Sequence, residues 1–182
     1  MNSLIRDIFI TLESAKDEEE RQRAIVQLVM LLERALRRPQ MDEELCAIFL
    51  PEGLLVIELS ASEIDEVFNE MAKVLGNNQL PRNSKMSLFW ALTSNADSKF
   101  GEFIFNFFSV YAGTFIEQEA LGSIAQLSGF LERYEGPVSQ VRRLLIEFDI
   151  QKHLTGFQTS PSLRLQHSAA LLNDKLKSIL EN

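Results

Sequence analysis

Only two histidines, His153 and His167, and one cysteine, Cys46, occur among the 182 residues. A lone cysteine cannot close an internal bridge, which fits a reducing compartment. Cys46 stands in the apolar run Leu45-Cys46-Ala47-Ile48-Phe49-Leu50, so it reads as a small buried hydrophobe; a reactive thiolate needs an electropositive, accessible setting. His153 falls in an expected loop beside Lys152 and Leu154, with no nearby Asp or Ser pattern for a triad. His167 projects opposite the inward face of the last predicted helix and reads as a solvated surface residue. Glu-x-x-His pairs, paired cysteines, His-Glu-x-x-His and phosphate-binding glycine loops are all missing. No catalytic residue, metal site or cofactor is therefore expected, and the chain reads as a non-enzymatic protein.

Basic residues are also scarce, with 18 Lys plus Arg against 26 Asp plus Glu and a net charge of -8. That sign is wrong for phosphate backbones and for anionic membranes, so neither nucleic acid nor a membrane surface is an expected partner. Long apolar runs are missing too. The most apolar stretch, Leu45 to Ile57, is broken by Pro51, Glu52 and Gly53 and is too short to span a bilayer. Arg6 and Asp7 interrupt what would have to be the apolar part of a signal peptide, so a cytoplasmic protein is expected. With neither a linker nor a low-complexity tract, residues 1–182 are expected to form a single all-helical domain of about eight or nine helices.

What the chain does have is an aromatic centre. Asp97 to Tyr111 carries five phenylalanines in nine positions, from Phe100 to Phe108. On a helical wheel Phe100, Phe103, Ile104, Phe107, Phe108, Val110 and Tyr111 cover over a third of the circumference, Glu102, Asn106 and Ser109 form a narrow polar wedge, and Phe105 sits at its edge. Alternation of Phe103, Phe105 and Phe107 would also suit a strand. Asp97 as N-cap, Glu102 in the early turns and Gly113 at the end favour a helix packed on several sides.

Along the chain, Asn2 or Ser3 can cap a first helix with Leu4, Ile5, Ile8, Phe9 and Leu12 on one side. Asp17 caps the next, which has Glu18, Glu19 and Glu20 at its positive end, Arg37 and Arg38 in its last turn and Pro39 as its stop. Ala24, Ile25, Leu28, Val29, Leu32, Ala35 and Leu36 form its main face, while Val26 and Met30 make a second small patch that either packs internally or receives a partner. Asp42 can cap Glu43 to Leu50, and Pro51 can open a turn or two through Leu59, although Leu54 to Ile57 would pass as a buried strand. Ser60 and Glu63 have capping-box spacing, with Ser62 as the other possible cap, before Ile64, Val67, Phe68, Met71, Ala72 and Leu75 at helical spacing, and Gly76 suits a left-handed stop. Asn83 can cap a helix with Met86, Phe89, Trp90 and Thr93 at core spacing. Thr114 and Glu117 form a second box before a helix with Ile116, Ala120, Leu121, Ile124, Leu127, Phe130, Leu131 and Tyr134. Pro137 starts another with Val138, Val141, Leu144, Leu145 and Phe148 inward. Gln151 to Ser160 reads as a loop, and Ser160 with Pro161 opens a last helix facing Leu165, Ala169, Leu172, Leu176 and Ile179 inward.

Alternate helix starts recur about every 30 to 50 residues, the range of helical repeats. Leu50-Pro51-Glu52-Gly53-Leu54-Leu55 and Lys85-Met86-Ser87-Leu88-Phe89-Trp90-Ala91-Leu92 resemble the two helices of HEAT or armadillo repeats over the middle half of the chain. There is no evenly spaced Asp and Arg ladder. The resemblance implies a curved stack of helix pairs that holds other proteins; a compact irregular bundle is the alternative.

One charge feature stands out. Between Pro39 and Ala72 lie nine acids (Asp42, Glu43, Glu44, Glu52, Glu58, Glu63, Asp65, Glu66, Glu70) and neither Lys nor Arg. Glu63, Glu66 and Glu70 share a helix side, which without histidine reads as a solvated face and not a metal site. A contiguous acidic region would steer a basic protein partner. The expected function is recognition of such a partner through Asp42, Glu43, Glu44, Glu63, Glu66 and Glu70, with Val26 and Met30 beside them, in an adaptor, regulatory or immunity-type inhibitor role; homo-oligomerisation stays open. The alternative is a small-molecule or lipid pocket lined by Phe89, Trp90, Phe103, Phe107 and Phe108.

Overall fold

The computed structural model describes residues 1–36 and 43–181. Those residues contain eleven α-helices, one 3-10 turn and no strand. The all-helical expectation holds, with eleven helices among the described residues where eight or nine were expected, and the aromatic centre is helix. The chain folds as two compact units, Met1–Asn95 and Ala96–Asn182.

In the first unit α1 (Ser3–Ser14) begins where Asn2 Oδ1 accepts from the Leu4 N–H at 2.9 Å, and it buries Ile5, Ile8, Phe9 and Leu12. Leu4, expected on that face, is exposed, and its Cδ1 lies 2.9 Å from where a Cβ on Gly53 would stand. A side chain at position 53 would have to push the exposed end of Leu4 aside. α2 (Glu18–Ala35) starts at Asp17, whose carboxylate accepts from the Glu20 N–H at 2.7 Å. It buries Ala24, Ile25, Leu28, Leu31 and Leu32, whereas Val29, Ala35 and Leu36 are only half-buried. The expected helix end at Arg37, Arg38 and Pro39, and the cap at Asp42, lie outside the described residues.

α3 (Glu43–Phe49) and the single turn α4 (Glu52–Leu55) follow. The helix expected through Leu59 stops earlier, because Val56 to Ser60 leave helical structure before the next cap. α5 (Ala61–Leu75) has the full capping box: the Ser60 N–H donates to Glu63 Oε2 at 2.9 Å and the Glu63 N–H donates to Ser60 Oγ at 3.3 Å. Gly76 ends it at φ −74°, an ordinary right-handed conformation, so the expected left-handed stop is absent there. α6 (Arg82–Asn95) begins directly after Pro81, whose carbonyl accepts from the Lys85 N–H at 2.9 Å; Asn83 lies inside the helix and does not cap it. α2 packs on α1, α3 and α6, and α5 packs on α6.

α6 is the enclosed helix of this unit. Met86, Leu88, Phe89, Ala91 and Leu92 are buried together with Ser84, Lys85, Thr93 and Asn95, while Trp90 is only half-buried. Its buried polar groups bond as burial requires. Ser84 Oγ donates to Glu18 Oε1 at 2.7 Å, Thr93 Oγ1 to the Phe89 carbonyl at 2.7 Å and Asn95 Nδ2 to the Ala91 carbonyl at 3.0 Å.

In the second unit Asp97 caps a 3-10 turn, Ser98–Phe100, that leads into α7 (Gly101–Ala112). Phe105, placed by the helical wheel at the polar edge, is fully buried and meets Phe130 edge-on at 5.9 Å; Val110, placed in the core, is exposed. α8 (Glu117–Glu132) uses Glu119 and not Glu117 as its box carboxylate: the Ile116 N–H donates to Glu119 Oε1 at 3.2 Å, while the Thr114 hydroxyl donates back to the Tyr111 carbonyl. Ile116 is consequently outside the helix and exposed. α9 (Val138–Glu147) follows Pro137, with Val141, Leu144 and Leu145 buried; Val138, at its first position, is exposed and Phe148 half-buried.

The expected loop from Gln151 to Ser160 is mostly helix. Asp149 adopts a left-handed conformation, φ 51° and ψ 36°, which breaks α9 from α10 (Ile150–Phe157), and Ile150 and Leu154 bury one turn apart. α11 (Leu163–Glu181) is capped by Ser162, not Ser160: Ser162 Oγ accepts from the Leu165 N–H at 3.3 Å, and Ser160 Oγ accepts from the Ser162 N–H at 3.2 Å. Leu165, Ala169, Leu172 and Leu176 are buried as expected, Asn173 with them, and Ile179 is half-buried. α11 packs on α8, α9 and α10, and α7 packs on α9 and α10.

Candidate interaction surface

The acidic stretch opens on an unusual helix. α3 buries Cys46, and Leu50 just beyond it is also buried, one turn on. Leu45, Ile48 and Phe49, spaced i, i+3 and i+4 on the other side, are exposed, Ile48 to 73 %. Past α4, Val56 is exposed to 78 %. Glu43, Glu44, Glu52 and Glu58 are exposed along the same segment. α3 packs on α2 and α4, and the side chain of Gln27 on α2 holds its end by donating to the Phe49 carbonyl at 3.2 Å. Apolar and acidic groups are thus presented together on a short element fixed from behind.

The acids of α5 are arranged differently. Glu63 accepts from Ser60, Glu66 lies 2.6 Å from the Met1 amino group, and Glu70 pairs with Lys73 at 2.9 Å. The hydrogen bonds from the Ser60 backbone and hydroxyl hold the Glu63 carboxyl below its ordinary range. Glu66 is exposed, while Glu63, Asp65 and Glu70 are half-buried. Val26 and Met30 on α2 are half-buried as well. Asp42 lies outside the described residues. No group of three or more His, Cys, Asp or Glu among the described residues is placed to hold a metal ion.

Near the end of α2, Arg34, Ala35, Ile57, Glu58 and Leu59 line a depression of about 260 Å³. Arg34 Nη1 is buried without a hydrogen-bond partner among the described residues. Two depressions of the second unit, about 320 Å³ and 270 Å³, are walled by Leu121, Ser128, Leu172 and Lys175, and by Leu131, Tyr134, Val138 and Ile179.

The five aromatic residues considered for an internal pocket divide between the units. Phe89 and Trp90 belong to the first and Phe103, Phe107 and Phe108 to the second. Phe107 stacks on Tyr111 at 4.4 Å and lies 6.3 Å from Phe103, and Phe108 meets Phe115 and Phe157 edge-on. Those rings occupy one another's contact surface.

His153 sits on α10 and not in a loop. Its Nε2 is 3.1 Å from Ser109 Oγ on α7, and its ring meets Phe108 edge-on at 6.3 Å. Burial pushes its pKa below the usual histidine value, against a smaller opposing pull from Asp149. His167 is exposed, as expected. Sequence reasoning missed both the exposed face of α3 and the Ser109–His153 pair. An apolar run such as Leu45 to Leu50 does not say which of its sides is covered, and residues 44 positions apart carry no spacing signal.

No protein-family model, no curated protein and no solved structure matches the chain at a significant level.

Proposed function

We propose that this chain is a non-enzymatic, cytoplasmic protein-binding protein, adaptor or regulator, that engages a basic partner through the acidic surface of residues 43–70. The observation that carries this reading is the exposure of Glu43, Glu44, Glu52 and Glu58 within a stretch that has neither Lys nor Arg. Such a concentration of one charge sign raises the rate of encounter with a positive surface and repels polyanions. Inhibition of a basic protein that ordinarily receives a polyanion is one form of this role. The HEAT-like or armadillo-like stacking of helix pairs belongs to the same proposal, as a scaffold for the surface.

The test is capture by the intact chain from its native source, in parallel with the quadruple variant Glu43→Lys, Glu44→Lys, Glu52→Lys and Glu58→Lys, with stably retained polypeptides identified by mass spectrometry. Loss of the retained polypeptides in the variant, and their release as salt rises from about 0.05 to 0.5 M where screening is strong, supports the reading. Complexes that survive charge reversal unchanged would refute it.

A further inference from the structure

Ordinary surface helices turn their apolar side inward and their charges outward. α3 departs from that rule on one face: Leu45, Ile48 and Phe49 are exposed together while Cys46 alone in the helix is buried. Isolated exposed apolar residues are normal on any protein. Three on one helical face, with exposed Glu43 and Glu44 on the same helix and Val56 and Glu52 exposed further along the chain, expose apolar surface that a partner can cover.

Charge selects the occupant. A second copy of the chain meeting this face through a two-fold axis would bring both copies of Glu43, Glu44 and Glu52 to one interface with no Lys or Arg between positions 39 and 72 to offset them, and like charges at a contact are unfavourable. Anionic lipid and nucleic acid are repelled by the same groups. A polypeptide that offers apolar side chains flanked by Lys or Arg satisfies both features at once. Because α3 presents i, i+3 and i+4 anchors, the matching form is a helix whose own apolar stripe packs against them.

We infer that α3 is the docking face for a basic amphipathic helix of another protein, with Leu45, Ile48 and Phe49 as its anchors and Glu43, Glu44 and Glu52 as its charged border. This rests on the protein-binding reading above and adds to it the place of contact and the form of the partner.

A synthetic leucine–lysine peptide of about five helical turns, patterned to be amphipathic, serves as the probe against the full chain in titration calorimetry. Two control peptides are a shuffled leucine–lysine sequence without an apolar face and an amphipathic leucine–glutamate sequence. Equimolar binding of the probe alone is expected, with Ile48→Ser and Leu45→Ser each weakening it roughly tenfold. Val56→Ser is a second exposed substitution, expected to weaken binding less, and circular dichroism verifies that each variant keeps its helix content.

Binding that is indifferent to Ile48→Ser and Leu45→Ser but lost on Glu43→Lys and Glu52→Lys overturns the α3 site while leaving the acidic-surface reading intact. Equal binding of the shuffled or glutamate peptide, or no binding of the probe, overturns the inference as well. So does a dimer in sedimentation that Ile48→Ser dissolves, since the occupant would then be a second copy.

Discussion

Tyr134 keeps a hydroxyl buried without a hydrogen-bond partner among the described residues, and its ring is where it is because position 136 is glycine. A Cβ there would come within 2.6 Å of the Tyr134 ring, too close to accommodate without moving it. An orphaned hydroxyl is a cost, so Tyr134→Phe is expected to leave stability unchanged or raise it by up to about 1 kcal/mol; the urea midpoint measures this. Phe105 is the opposite case. It is fully buried against Phe130, and Phe105→Ala is expected to cost about 3–5 kcal/mol in the same measurement. The helical wheel put Phe105 at the edge of the polar wedge, because a wheel ranks faces by the residues beside them and does not know where α8 lies. His153 supplies a pH effect. Its folded pKa lies below the unfolded value because burial disfavours the imidazolium. As pH falls through the ordinary histidine range of about 6.5, the unfolded chain takes up the proton first and stability is lost, levelling off below the folded pKa. Urea midpoints compared between wild type and His153→Gln from about pH 8 to 5 should diverge in that window; parallel curves would mean that His153 is not responsible.

At the scale of elements, starts were more legible than stops. Asn2, Asp17 and Ser60 each cap the helix the sequence assigns to them, because a side-chain oxygen three positions or fewer from an orphaned N–H is a local relation. Ser60→Ala is expected to remove about 1 kcal/mol of stability. Its Glu63 partner has a depressed folded pKa, so its contribution is present above the unfolded carboxyl range and is lost as pH falls through the folded value; the Ser60→Ala variant should therefore show a weaker acid dependence of its melting temperature. Where two candidates stood close together, the nearer sequence pattern misled: Ser162 caps α11 in place of Ser160, and Glu119 serves α8 in place of Glu117. α10 escaped sequence reading because Gly156 and the polar run after it suggested a loop, while Asp149 hid its beginning by adopting a conformation few non-glycine residues take. Burial of Ile150 and Leu154 against α7 and α11 outweighs those weak local preferences.

For the molecule as a whole, charge is the property read most directly. A net charge of -8 with an acidic stretch free of Lys and Arg predicts association rates with basic proteins that fall steeply with ionic strength, measurable by stopped-flow with the leucine–lysine probe. No described helix is long and apolar enough to cross a membrane. The sequence by itself determined that the chain is helical, that Asn2, Asp17 and Ser60 cap helices, that Phe100, Phe107 and Phe108 are core, and that acids gather between residues 39 and 72. Periodicity, capping and composition act over a few residues and are written in the order of the chain. Only the tertiary structure decided that α6 is enclosed, that Phe105 is inside and Val110 outside, that Ser109 meets His153, and that one face of α3 is uncovered. Each of those depends on which surface an apolar side chain is buried against, and burial is settled by neighbours that lie far away along the chain.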